Sequence, residues 1–174
     1  IDLQGIARAA VVGITRGSFS EGASTLTQQL IKNNVFPNFT KEKTFYDRLQ
    51  RKIQEQYLAI QIEKQMDKDE IIESYLNTIN LGQNCLGVQA ASQRYFNKDV
   101  SELTLSECAV IAGITQNPTD YDPVTHPDNN KLRRDKVLNN MLEQGYISQA
   151  QYDEAMADDV YARIQTTASS TQGD

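Results

Sequence analysis

The chain has 174 residues, of which 39% are hydrophobic and 23% are charged, and its formal net charge at pH 7 is −6. This length suffices for one domain with a proper core but not for two large domains. The acidic balance argues against a general nucleic-acid binder, and these residues contain neither an apolar run of about 18 residues that would span a membrane nor a signal-peptide pattern.

The first third of the chain follows a helical period. Apolar residues at steps of three and four predict a helix over about residues 3–16. Thr25 and Gln28 have the spacing of a capping box, which predicts a short helix over about residues 25–32. A proline and the lack of a period indicate a loop over residues 33–40.

The rest of the chain is also predicted to be helical. Apolar spacing predicts helices over about residues 45–65, 67–79, 104–114, 132–144 and 148–156. Capping patterns support three of these helix starts, in the pairs Asp67 with Glu70, Thr104 with Glu107 and Ser148 with Gln151. No convincing alternation typical of strands is present. From Asp158 onward the pattern is poor, and residues 166–174 are small and polar. We therefore predict an all-α domain over residues 1–157 and a linker or disordered tail over residues 158–174.

One face of the long helix is strongly charged. On a helical wheel its four charged members fall within about 100° of one another: Arg48, Arg51, Lys52 and Glu55. A buried apolar stripe is predicted beside them, made of Phe45, Leu49, Ile53, Tyr57 and Ile60. The face is compatible with a solvated surface on which Arg51 and Glu55 pair, and equally with an anion site containing a carboxylate.

A second polar face lies on the short helix. It presents a hydroxyl, two amides and an ammonium group near a helix N-terminus, from Thr25, Gln28, Gln29 and Lys32. Such a face suits a hydroxyl-rich anionic ligand, although an ordinary capped helix explains the same pattern.

Four stretches resemble, in the correct order, motifs of the family 51 glycosyltransferases, which are the transglycosylase domains of penicillin-binding proteins and their monofunctional relatives. Residues 22–29 are similar to the second motif, residues 51–55 to the third, residues 68–77 to the fourth and residues 112–123 to the fifth. One such motif would be weak support, but four in order identify the chain as a member of this family up to about Ala155.

The resemblance implies a lysozyme-like all-α fold and an inverting peptidoglycan glycosyltransferase. Such an enzyme polymerises lipid II onto a nascent glycan strand through β-1,4 bonds, with release of polyprenyl pyrophosphate, in bacterial cell-wall synthesis. The resemblance assigns Glu55 as a catalytic carboxylate and a substrate-binding set of Thr25, Gln28, Gln29, Lys32, Arg51 and Lys52. Arg48 joins that set from the helical wheel alone. Mg²⁺ or Mn²⁺ is compatible with pyrophosphate chemistry, although no metal-ligand spacing is visible.

The chain departs from the family at the first motif. Ile1 and Asp2 match only the end of that motif, so the general-base glutamate is expected upstream and the chain as given is expected to be inactive. The single histidine, His126, lies in a late loop and is not a candidate. The resemblance also implies a place on the extracytoplasmic face of the bacterial membrane, through an upstream anchor and an apolar flap over residues 33–40, and it is compatible with a following transpeptidase domain.

Two other functions fit parts of the pattern. A lysozyme-like muramidase or lytic transglycosylase needs a glutamate and a cleft but no phosphate-binding cations. A non-catalytic domain that binds peptidoglycan precursors would need no general base. Lys32 together with Arg51 and Lys52 favours the glycosyltransferase over the hydrolytic enzyme. The missing general base gives the binding domain some weight, but an upstream position of that glutamate explains its absence more simply.

Overall fold

The computed structural model describes residues 25–36 and 41–167, so the helix predicted over residues 3–16 lies outside the described residues. The described chain forms seven α-helices: α1 (Leu26–Val35), α2 (Phe45–Gln65), α3 (Lys68–Thr78), α4 (Val88–Phe96), α5 (Leu105–Ile114), α6 (Pro127–Glu143) and α7 (Gln149–Ala157). It contains no strand beyond an isolated antiparallel bridge between Asn80 and Leu86. The predicted all-α class is confirmed. None of the described helices combines the length and the hydropathy needed to cross a membrane.

Reciprocal capping sets where several helices begin. The Thr25 hydroxyl accepts a hydrogen bond from the Gln28 backbone N–H, and the Gln28 side chain accepts one from the Thr25 N–H. The same exchange opens α2, α5 and α7, through the pairs Thr44 with Asp47, Thr104 with Glu107 and Ser148 with Gln151. Each box satisfies backbone donors that a helix start leaves without intrahelical partners. The capping boxes predicted at α1 and α5 are therefore confirmed.

Two helical segments differ from the sequence prediction. α1 continues through Val35, so residues 33–35 of the predicted flap belong to a helix, while residues 37–40 lie outside the described residues. α4 was not predicted, because its start at Gly87 has no side-chain cap and the flanking glycines indicate turns. Its end is marked by Asn97 in the left-handed conformation, a common helix stop.

The chain divides into two units, residues 1–78 and residues 79–174. In the first unit α1 packs against both α2 and α3. Among the described residues of this unit, the buried apolar side chains are Leu30, Ile31, Ala59, Ile71 and Tyr75.

The second unit is built around α5, which is apolar on nearly all sides and contacts α4, α6 and α7. Leu138 of α6 is fully buried in a cluster with Ala109, Ile147 and Ala155. A 3-10 helix over Val160–Arg163 follows α7, with Val160 and Ile164 both buried. The predicted linker therefore begins with packed residues, and the domain boundary at residue 157 stays a prediction.

Tyr95 joins two parts of the second unit. Its ring is fully buried, and its hydroxyl donates a 2.6 Å hydrogen bond to the Leu81 carbonyl. Replacing Tyr95 with Phe is expected to lower the free energy of unfolding by about 1 kcal/mol, because the buried Leu81 carbonyl loses its donor. Urea unfolding followed by circular dichroism measures the loss. Tyr146→Phe, at an exposed position, is the control, and equal stability of the two variants would contradict the assignment.

Candidate functional site

The charged face of α2 is turned inward, which reverses the prediction from the sequence. Glu55 and Ala59 are fully buried, whereas Ile53 and Tyr57 are 62% and 63% exposed. The predicted buried stripe is therefore wrong at Ile53 and Tyr57, and also at Ile60, which is exposed. The buried side points toward α1, because the Thr27 hydroxyl donates a 2.9 Å hydrogen bond to Glu63, two turns after Glu55.

Buried Glu55 lies between two cations. One carboxylate oxygen accepts a hydrogen bond from Arg51 Nη1, and the other accepts one from Lys52 Nζ at 2.7 Å. The pairing of Arg51 with Glu55 that the sequence spacing allowed is therefore present. A carboxylate is buried at low cost only when it is paired and hydrogen-bonded, so the two cations offset the cost of burying Glu55.

A second carboxylate extends the network from the other side of Arg51. Arg51 Nε donates to both carboxylate oxygens of Glu42, at 2.8 and 3.0 Å. The Arg51 and Glu42 side chains are only 11% and 17% exposed. Burial opposes the charged form of Arg51, but the hydrogen bonds that it donates to Glu42 and Glu55 outweigh burial and raise its pKa. Glu42 was not predicted from the sequence, because it lies outside α2 and nine residues away from Arg51.

Lys32 of α1 belongs to the same electrostatic environment. Burial lowers its pKa, the positive charge of Lys52 lowers it further, and Glu55 opposes both. Arg51 adds a smaller repulsion. Three cations are therefore held close enough to disfavour one another, and an incoming anion would relieve that repulsion. We call Lys32, Glu42, Arg51, Lys52 and Glu55 the cation cluster.

The remaining predicted site residues lie around α1 and the start of α2. Gln28 is 2% exposed, and its Nε2 has no hydrogen-bond partner among the described residues. Gln29 accepts a 3.3 Å hydrogen bond from the Tyr75 hydroxyl of α3. Arg48 also has a buried Nε without a described partner. Buried donors without partners are costly and rare, so Gln28 and Arg48 are the positions where a ligand acceptor is most expected.

The described residues offer little to a divalent metal. No group of three or more His, Cys, Asp or Glu side chains within them comes together as a potential metal site. The only carboxylates of the cation cluster, Glu42 and Glu55, are both paired with Arg51. With two carboxylates paired to Arg51 and the amino groups of Lys32 and Lys52 nearby, this donor set favours anions.

The second unit contains a cavity of about 710 Å³ beside Gln83, Asp122 and His126. Its polar groups are largely used within the fold. Asp122 accepts hydrogen bonds from Gln83 Nε2 at 2.6 Å and from the backbone of Val124 and Thr125. His126 Nδ1 lies 2.9 Å from the Thr125 hydroxyl. The polar side chains beside the cavity therefore stabilise the turns of this unit.

The chain is similar to known proteins in both sequence and structure. A family model described as Transglycosylase matches residues 1–142. The chain is 45% identical over 161 residues to penicillin-binding protein 1A of Neisseria lactamica, covering 92% of this chain and 19% of that protein. It is 49% identical over 150 residues to penicillin-binding protein 1A of Clostridium botulinum, covering 83% of this chain and 17% of that protein.

A solved structure is also similar. The crystal structure of penicillin-binding protein 1A from Haemophilus influenzae matches 53% of this chain and 14% of that chain, with 45% sequence identity and a TM-score of 0.51. The chain spans about a fifth of the length of the curated relatives it matches.

Proposed function

Because this chain belongs to the transglycosylase family, whose model matches residues 1–142, we propose that it forms the donor side of a peptidoglycan glycosyltransferase site that uses lipid II. The observation that carries the proposal is the cation cluster. Arg51 and Lys52 bind a fully buried carboxylate there, and Lys32 interacts electrostatically with all three groups. A site that must stabilise a departing pyrophosphate needs this charge arrangement.

The proposed reaction is a displacement at the anomeric carbon of the donor sugar. The 4-hydroxyl oxygen of the acceptor sugar forms the new bond, and the bond from the anomeric carbon to the lipid pyrophosphate breaks with inversion. The hydroxyl proton passes to a general base, and the electron pair leaves on the pyrophosphate. Lys32, Arg51 and Lys52 would stabilise that leaving charge, while Glu55, buried behind Arg51 and Lys52, would hold both in place.

The other predicted residues take supporting roles in this proposal. Gln28 and Arg48 would donate their buried, unpartnered N–H groups to the sugar–phosphate ligand. Thr25 and Gln29 would shape the cleft near the start of α1.

The lipid substrate also suggests where the protein works. We place the site at the extracytoplasmic face of a bacterial membrane, with an upstream anchor and the segment over residues 33–40 as membrane contacts. A transpeptidase domain in the intact protein fits the penicillin-binding names of its relatives.

Replacement of Lys52 with Ala in the intact protein tests the proposal. Polymerisation of lipid II is expected to fall by about 10²-fold, because one donor to the leaving pyrophosphate is lost. Lys64→Ala, at an exposed position late on the same helix, should leave the rate unchanged. The assay follows glycan strands by gel electrophoresis.

The two alternative functions give different results in the same experiments. Release of soluble fragments from finished peptidoglycan, with no polymer from lipid II, would support a hydrolytic enzyme instead. Binding of lipid II without turnover by the intact protein would support a non-catalytic domain.

A further inference from the structure

Glu42 occupies the side of Arg51 opposite its partner on α2. Both of its carboxylate oxygens accept hydrogen bonds from Arg51 Nε, while Glu55 accepts from Nη1. Arg51 and Glu42 are largely shielded from solvent, so their attraction is weakly screened. The guanidinium group is thus shared between two carboxylates from different parts of the first unit.

Arg51 does not need Glu42 in order to be oriented. Glu55 lies one turn further along the same helix and is itself fixed by Lys52 at 2.7 Å. Removing Glu42 would therefore leave the guanidinium held by an adjacent carboxylate on a rigid element. What Glu42 adds is a negative charge, which lowers the net charge of the cation cluster from +2 to +1 when its three cations and two carboxylates are counted.

We propose that Glu42 is an internal anion that competes with the pyrophosphate group of the substrate for Arg51. The inference rests on the proposed function, because it assumes that pyrophosphate binds to the cation cluster. A carboxylate and a phosphate make equivalent hydrogen bonds to a guanidinium group, so the ligand replaces Glu42 at Nε without leaving Arg51 unpaired. The site then binds pyrophosphate more weakly than its three cations alone would bind it.

The test is the affinity of the intact protein for inorganic pyrophosphate, measured by isothermal titration calorimetry. Glu42→Gln keeps the size of the side chain and one oxygen acceptor for Arg51 but removes the charge. We expect the dissociation constant to fall about tenfold, because the ligand no longer competes with a carboxylate. Glu73→Gln, at an exposed position on α3, makes the same change in net charge and should leave the dissociation constant unchanged.

An unchanged or weaker affinity in Glu42→Gln would overturn the proposal, since a positioning role predicts no gain. Glu42→Ala should also bind more tightly, and circular dichroism checks that both variants are folded. In the wild-type protein, the ¹⁵N resonance of Arg51 Nε should shift as pyrophosphate is added, and a resonance that does not move would also overturn the proposal.

Arg51→Ala and Lys52→Ala separate this inference from the proposed function. If both variants bind pyrophosphate as the wild type does, or if no protein in the series binds it, both proposals fail. If Arg51→Ala and Lys52→Ala weaken binding while Glu42→Gln has no effect, only the proposal that Glu42 competes with pyrophosphate fails.

Discussion

Glu55→Gln in the intact protein is expected to lower the turnover of lipid II by about 10³-fold, the upper end of what a misplaced transition-state donor costs. Glu55 is fully buried and receives hydrogen bonds from both Arg51 and Lys52. The amide of Gln has one oxygen acceptor and no negative charge, so it cannot accept the hydrogen bonds of Arg51 and Lys52 on two charged oxygens. Both cations would therefore lose their fixed positions. Pyrophosphate should nevertheless bind at least as tightly, because the variant gains net positive charge. Steady-state kinetics together with calorimetry would show turnover falling while binding is kept.

Glu63→Gln is the matched control for this experiment. Glu63 lies two turns further along α2, and Gln can still accept the hydrogen bond that Thr27 donates to it. Its activity should stay near that of the wild type. An equal loss in both variants would indicate a general disturbance of α2, and full activity in Glu55→Gln would remove Glu55 from the site.

Local signals in the sequence predicted where helices begin. The reciprocal bonds of Thr25 with Gln28 and of Asp67 with Glu70 involve residues three apart, so their chemistry is readable without tertiary information. The span of α2 follows equally from its long apolar period and agrees with the structure at both ends. Such features depend on the chain over one or two turns.

Local signals did not predict which side of α2 is buried. Apolar spacing predicted that Ile53 and Tyr57 face a core, but helix α1 packs on the side that carries Glu55 and Glu63. Hydrophobic periodicity assigns the apolar side of a helix to the interior, and it fails where a polar network is buried instead. That failure coincides with the predicted anion site, as expected where a fold departs from local rules for the sake of function.

The sequence predicted a set of site residues but not how they are arranged. The structure brings Lys32, Arg51, Lys52 and Glu55 into one electrostatic cluster. Predicting the contact of Glu42 with Arg51 would require the path of the chain between α1 and α2, and the sequence there has no helical period. The roles of these four residues in the reaction, and those of Thr25, Gln28, Gln29 and Arg48 in substrate binding, stay predictions.

In the second unit, Glu107 is the carboxylate on which stability should depend most. It is fully buried and accepts hydrogen bonds from the Thr104 backbone N–H, from Lys98 Nζ and from Arg163 Nε. Burial alone would raise its pKa, but the hydrogen bond from the Thr104 backbone, followed by the contacts of Lys98 and Arg163, outweighs burial and holds the pKa below its usual value. The ionised form is therefore bound more strongly in the folded chain than in the unfolded chain.

Glu107→Gln is expected to lower the free energy of unfolding at pH 7 by about 2 kcal/mol. This is less than the loss of a partner in a fully buried pair, because the Lys98 and Arg163 side chains are 33% and 40% exposed and can be partly rehydrated. The amide keeps the size of the side chain and an acceptor for the Thr104 N–H, so the difference reports the charge. Glu143→Gln, at an exposed position, should change little in the same urea unfolding experiment.

The pH dependence of that difference identifies its origin. Because the folded-state pKa of Glu107 lies below the unfolded value, its contribution is fully present above the unfolded value near 4.5 and is lost as the pH falls through the lower folded value. The stabilities of the wild type and Glu107→Gln should therefore converge in acid, where Glu107 is protonated in both states. A difference that stays constant as the pH falls far below 4.5 would instead mean that Gln packs poorly, and that the ion pairs with Lys98 and Arg163 contribute little.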